Sequence, residues 1–295
     1  MPPALLLAGR ILLLAGEQLL VKRLAGGRAG ELAVTFLFFA WATLALLPFA
    51  LGAALGAGGD AARQGMLRLA GRWPELVAAG LVYTAAFALY VAGLVRGELS
   101  RVAPLAAVNQ LALLVLAVGF GGERPTLPRL AGMALMAAGT VRLARPVPAG
   151  DGGAAEEERW AARATVGYGV LAAAARLLDR EAAAGLPPVL YAAVVDAQVT
   201  FWTALAVTAG GEWGEVAGLL RRRPGATAGA GAANAGSYLL LVLLLPRLPL
   251  TVLEPAGALA GLLAALAGIA LDGESGRGKL LPALLMAAGS FCLAA

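Results

Sequence analysis

Residues 104–123 read PLAAVNQLALLVLAVGFGGE, and residues 255–274 read PAGALAGLLAALAGIALDGE. In both, a proline opens an apolar run that Gly-Glu closes at the same distance. LMAAG then follows at 135–139 and again at 285–289, so the glutamate-to-LMAAG spacing differs by one residue between the copies. Arg129 stands as far before the first LMAAG as Lys279 does before the second. Each run is close to the twenty or so apolar residues that span a bilayer core. One membrane unit is therefore written twice, and such a duplication points to a transporter whose halves move about a site between them.

Composition agrees. Of 295 residues 60% are apolar and only 14% charged, too little charge to cover the surface of a soluble domain of this length. The long Ala/Leu-rich runs lack the alternation of an outer-membrane barrel, so the fold is expected to be all-α and integral to the membrane. Cys292 is the only cysteine, which excludes a disulfide framework and multi-cysteine metal sites. Histidine is absent, removing the commonest general base and metal ligand. No cofactor is implied, and neither is an enzyme. The net charge of +5 resides mainly in arginines at helix ends, where lipid headgroups account for it, so no nucleic-acid partner is indicated.

Ten spans are expected, over residues of about 4–22, 31–55, 75–95, 100–120, 127–145, 163–181, 188–209, 226–246, 249–271 and 278–294. The first stretch lacks a basic lead and a small-residue cleavage site, so it is read as a span rather than a signal peptide. A Pro/Gly/Asp-rich linker carrying Glu156, Glu157 and Glu158, over residues 146–162, divides a first repeat (1–145) from a second (163–295). Five crossings per unit is an odd number, so the second unit enters from the opposite side and the pair is inverted. Two longer connections, Asp60 to Trp73 and Glu212 to Arg223, interleave apolar side chains with arginines. They read either as helices lying in the membrane interface or as solvated basic loops. Loops after odd-numbered spans carry more Lys and Arg, including Arg96, Arg101 and Lys279, which by the positive-inside rule puts both termini outside the cytoplasm.

The stretch from Tyr238 to Glu274, with its Glu254-Pro255 pair opening a helix and Gly273-Glu274 closing it, resembles the second-half signature of the EamA branch of the drug/metabolite transporter superfamily. Tyr83 to Arg124 and the LMAAG that follows resemble the matching part of the first half, with Ala103-Pro104 where the second half has Glu254-Pro255. The resemblance implies a ten-helix secondary transporter of small metabolites in the bacterial inner membrane, as a monomer or homodimer. It also implies cytoplasmic termini, opposite to the charge bias. Cargo within such a family ranges over amino acids, amines, nucleosides, drugs and lipid-linked sugars, so the fold alone does not fix it.

Ionisable groups at bilayer depth mark functional pathways. Glu17 in the first span, Asp196 in the seventh and Glu254 at the start of the ninth are the candidates for substrate binding or proton coupling. Without histidine, a proton-coupled mechanism has only such carboxyl groups to use. Arg10 or Arg176 is placed to hold one ionised. Gln18, Gln198, Asn109, Asn234, Tyr83, Tyr90, Tyr238 and Trp202 are the uncharged candidates, each open also to plain interhelical hydrogen bonding or packing. Tyr83 and Tyr90, seven apart, share a helix face. The two Gly-Glu pairs are read as geometric, the acidic group favouring the start of the helix that follows. Three readings stand: a secondary transporter of a small molecule, a flippase for a lipid-linked headgroup, and a non-transporting membrane scaffold.

Overall fold

The computed structural model describes residues 2–25, 30–56, 67–121, 126–145, 152–248, 250–274, 276 and 278–294. Its principal helices are α1 (Pro3–Ala25), α2 (Glu31–Gly56), α3 (Trp73–Arg96), α4 (Leu99–Leu105), α5 (Val108–Gly121) and α6 (Leu127–Ala144). They continue with α7 (Gly152–Ala182), α8 (Pro188–Gly210), α9 (Trp213–Arg222), α10 (Pro224–Leu244), α11 (Leu250–Leu271) and α12 (Leu280–Ala294). No strand occurs among the described residues. Prolines within the first two positions start α3, α6, α8 and α10, where a missing N–H costs nothing. Gly211, at φ 69°, ends α8 in the left-handed region that glycine adopts without penalty.

Helices α1, α2, α3, α8 and α10 are long and apolar enough to cross a membrane. Large apolar side chains such as Leu12, Phe49, Phe201, Leu266 and Phe291 face outward, as lipid contact requires. This is a multi-pass membrane protein.

Two expectations change, and one open alternative is decided. The fourth span is not one helix: α4 and α5 are separated by a turn at Ala106–Ala107. Pro104 lacks an N–H for the Ser100 carbonyl. Ala106 N–H still reaches four residues back to Val102 at 3.0 Å, and beyond it the ladder tightens, Ala107 N–H reaching only three back, to the Pro104 carbonyl at 3.0 Å. The linker expected over 146–162 is helical from Gly152 onward and runs unbroken into the sixth span as α7. Nothing in Ala154 to Ala162 breaks a helix, and its charge signals solvent rather than a loop. The second basic connection is a true helix, α9, with Val216 and Leu219 buried and Trp213 packed edge-on against Phe36 at 5.1 Å. Of the first connection, residues 60–66 lie outside the described residues, as does Gly122-Glu123.

The helices pack as α6 on α12, α3 on α7, α1 on α10, and α2 on α8 and α10. Where α6 meets α12, the two LMAAG motifs face each other reciprocally. A Cβ on Gly139 would lie 2.5 Å from Met286 Cγ, and one on Gly289 would lie 2.7 Å from Met136 Cγ. Each methionine thus fills the space over the other copy's glycine. Gly139→Val or Gly289→Val is expected to cost about 1–3 kcal/mol by overpacking, lowering the thermal midpoint of detergent-purified protein. Gly52→Val, with open space at its Cβ position, is expected to leave the midpoint within a degree or two of wild type.

Candidate functional site

Between the helices lies a cavity of about 60 Å³, room for roughly four to six water-sized groups. α1 contributes Arg10, Glu17 and Gln18, α3 contributes Tyr83 and Tyr90, and α10 contributes Asn234 and Tyr238. Asn109 enters from α5 and Asp196 from α8. The break between α4 and α5 falls at this depth, since Ala103, Ala106 and Ala107 line the same cavity. A discontinuous helix beside a buried polar cavity is how transporters expose backbone to a bound molecule.

Most candidate residues are therefore brought together, but not all. Gln198 and Trp202 do not line the cavity. At 100° per residue, position 198 lies about 200° round α8 from Asp196, so it faces another neighbour. There a Cβ on Gly80 would lie 2.6 Å from Gln198 Oε1. The side chain of Glu254 lies outside the described residues, although its backbone is part of α11.

Glu17 and Asp196 are each 1% exposed. Glu17 accepts a hydrogen bond from Ser237 Oγ at 3.2 Å, joining α1 to α10. Arg10 donates to the Leu253 carbonyl at 3.1 Å, joining α1 to α11. Asp196 Oδ2 has no hydrogen-bond partner, and neither does Gln18 Oε1. On the apolar side, Phe87 meets Phe39, Tyr90 and Tyr168 at centroid distances of 4.8, 6.1 and 5.9 Å.

The strongest polar constellation joins Tyr83, Tyr238 and Arg176 to two residues that were not among the sequence candidates, Asp179 and Tyr191. Asp179, fully buried, accepts from Tyr83 Oη at 2.5 Å, Tyr191 Oη at 2.7 Å, Tyr238 Oη at 3.0 Å and Arg176 Nη1 at 3.1 Å. Arg176 donates to Tyr83 Oη as well. Four helices, α3, α7, α8 and α10, thereby share one carboxylate. Arg176 and Asp179 stand three apart in an apolar background, which was the available signal. Asp179 stands near the helix end, next to Arg180 and Glu181, so it does not stand out as a mid-span carboxylate does.

One end of the bundle is closed by a clasp centred on the α3–α4 junction. Lys22 Nζ donates to the Leu94 carbonyl at 2.9 Å and to the Gly97 carbonyl. Glu274 accepts from Leu99 N–H at 2.8 Å and Ser100 N–H at 2.7 Å. Lys279 pairs with Glu98 and donates to Ser100 Oγ. Arg101, 3% exposed, pairs with Glu158 and donates to the Leu143 and Arg145 carbonyls. Glu274 thus serves the start of α4, in the other half of the chain, rather than the helix that follows it.

Residues 2–145 match the model of the EamA-like transporter family. The first half of this chain is an EamA-like transporter domain. Among solved structures, a crystal structure sharing 17% identity superposes with a TM-score of 0.64, over 98% of this chain and 95% of its own. At that identity the likeness concerns the fold alone. The comparison with curated proteins gives no match.

Proposed function

We propose that the protein is a secondary transporter of a small metabolite, built from ten membrane crossings in two inverted halves and working by alternating access in a bacterial inner membrane. The observation that carries this reading is the cavity itself: two buried carboxyl groups, Glu17 and Asp196, one from each half, face a shared space. Three further facts support it. The first half is an EamA-like domain, the repeated LMAAG motifs pack reciprocally, and the fourth span breaks at cavity depth. In this reading α4 and α5 form one interrupted crossing, and α9 lies in the interface. A cavity of about 60 Å³ is far below the 300 Å³ at which drug-sized sites begin, so the conformation is a contracted one. That size favours a small water-soluble cargo over a lipid-linked headgroup.

Proton exchange at Glu17 or Asp196 is the proposed coupling. The test is uptake of a labelled amino acid, amine and nucleoside panel into proteoliposomes under an imposed pH gradient. The expected result is gradient-driven uptake of one class, reduced at least tenfold by Glu17→Gln or Asp196→Asn. Uptake indifferent to the gradient and to both substitutions rules out the coupling. Absence of uptake across the whole panel counts against transport of this cargo range.

A further inference from the structure

We propose that the cavity recognises a small protonated amine, held by Asp196 and Gln18. This rests on the transporter reading only for what the cavity is for; the chemistry of recognition stands on the cavity's own groups. Asp196 Oδ2 and Gln18 Oε1 are buried acceptors on α8 and α1 that accept no hydrogen bond, and both residues line the cavity. A buried carboxyl oxygen left without a donor is costly, commonly about 1–3 kcal/mol or more, and such an atom in a cavity asks for a ligand that donates. The charged groups that bear on Asp196 are Glu17 and Asp179, both acidic. The Arg176 guanidinium is engaged by Asp179 and Tyr83, and the Tyr83 and Tyr238 hydroxyls are directed at Asp179. Arg10 and Arg176 line the cavity too, but two guanidinium groups stand against three buried carboxyl groups, Glu17, Asp179 and Asp196. An ammonium group supplies the third positive charge together with the missing N–H donors.

The rest of the ligand follows from the same wall. Asn234 Nδ2, also without a partner, suits an oxygen on the same molecule. Rings of Phe87, Tyr90 and Tyr168 accommodate a short carbon stem and favour a nearby cation. In this contracted conformation the cavity has room for roughly four to six non-hydrogen atoms, so the smallest amines are the probes that fit it as it stands. Among the described residues, no three acidic or cysteine side chains stand close enough to hold a metal ion, which favours an organic cation over a multidentate metal site.

The experiment uses purified full-length chain in detergent with three matched probes at millimolar concentration: protonated 3-aminopropanol, neutral 1,3-propanediol and 3-hydroxypropanoate. Thermal stabilisation and calorimetry are expected to show binding of the amine alone. Asp196→Asn is expected to weaken it at least tenfold, and Gln18→Leu about threefold. Equal binding of the diol or the acid, no binding of the amine, or stabilisation by sodium over potassium without any by the amine each overturns the proposal. Should Asp196→Asn fail to fold, unchanged affinity in Gln18→Leu still overturns it. Amine binding without any transport would sink the transporter reading and leave this one standing. Transport with no preference for amines would do the reverse.

Discussion

Asp179→Ala is expected to be the most damaging single substitution in the protein. It leaves three tyrosine hydroxyls and the Arg176 guanidinium buried around a void, having lost the acceptor they share. Removing one partner of a buried charge pair costs about 3–5 kcal/mol, because the charge left behind loses the neighbour that offset its desolvation. At roughly 2–4 °C per kcal/mol for a chain of this size, the thermal midpoint should fall by about 10 °C, with a matching loss of monodisperse protein on size exclusion. Tyr191→Phe is the graded comparison, since it removes one hydroxyl and leaves the carboxylate three donors. Its cost should be about 1.5–3 kcal/mol, the range for a hydrogen bond to a charged group. A drop of under 2 °C for Asp179→Ala would show that the four helices are not held through this carboxylate.

How such a hub escaped a reading of the sequence has a physical explanation. Helices are legible because apolar length is local: the ten expected stretches each fall on helix, although α7 starts at Gly152 rather than 163. Among the described residues, five of the helices are long and apolar enough to cross a membrane. The cavity was half legible, because Glu17, Asp196, Asn109 and the Tyr83–Tyr90 pair announce themselves as polar groups in apolar runs. Asp179 sits three residues from the end of α7, where an acidic side chain normally reaches water. Only the tertiary packing of α3, α8 and α10 over it makes it buried. Gln198 shows the opposite error: its depth was read correctly, but two residues from Asp196 is the wrong face. The break after Pro104 was visible as a proline, yet whether a proline kinks or interrupts a membrane helix depends on what satisfies the freed carbonyls. The crowding of Gly261 against the Ala103 carbonyl, 2.6 Å from where a Cβ would lie, shows how closely α11 covers that point. The basic loops carry more than one signal. Lys22, Arg96, Arg101 and Lys279 are engaged in holding helix ends together, so their number reports packing as well as orientation.

That engagement leads to the second large effect, on the conformational balance rather than on stability. Glu274 and Lys279 come from the segment between α11 and α12, and both grip residues 98–100 at the start of α4. Buried Leu99 and Val102 also pack at this end, and this set of charge-assisted hydrogen bonds adds a polar resistance to opening. Each is worth about 1.5–3 kcal/mol when buried, and less for Lys279 with Glu98, whose carboxylate is 38% exposed. Glu274→Ala with Lys279→Ala should therefore shift the closed–open balance by roughly 100-fold. The measurement uses Ala103→Cys in a Cys292→Ala background, because Ala103 is 1% exposed and lines the cavity beneath the clasp without taking part in it. Maleimide labelling at that position is expected to be slow with the clasp intact and at least tenfold faster once it is removed. The thermal midpoint should change far less than it does for Asp179→Ala. If the labelling rate stays the same, the clasp is a surface decoration and closure must come from the apolar contacts of α11 with α4. If it rises while the protein stays folded, the two halves of the chain are latched at this end by groups from each. That is the arrangement an alternating-access cycle needs in order to release one side of the cavity without disturbing the Asp179 hub on the other.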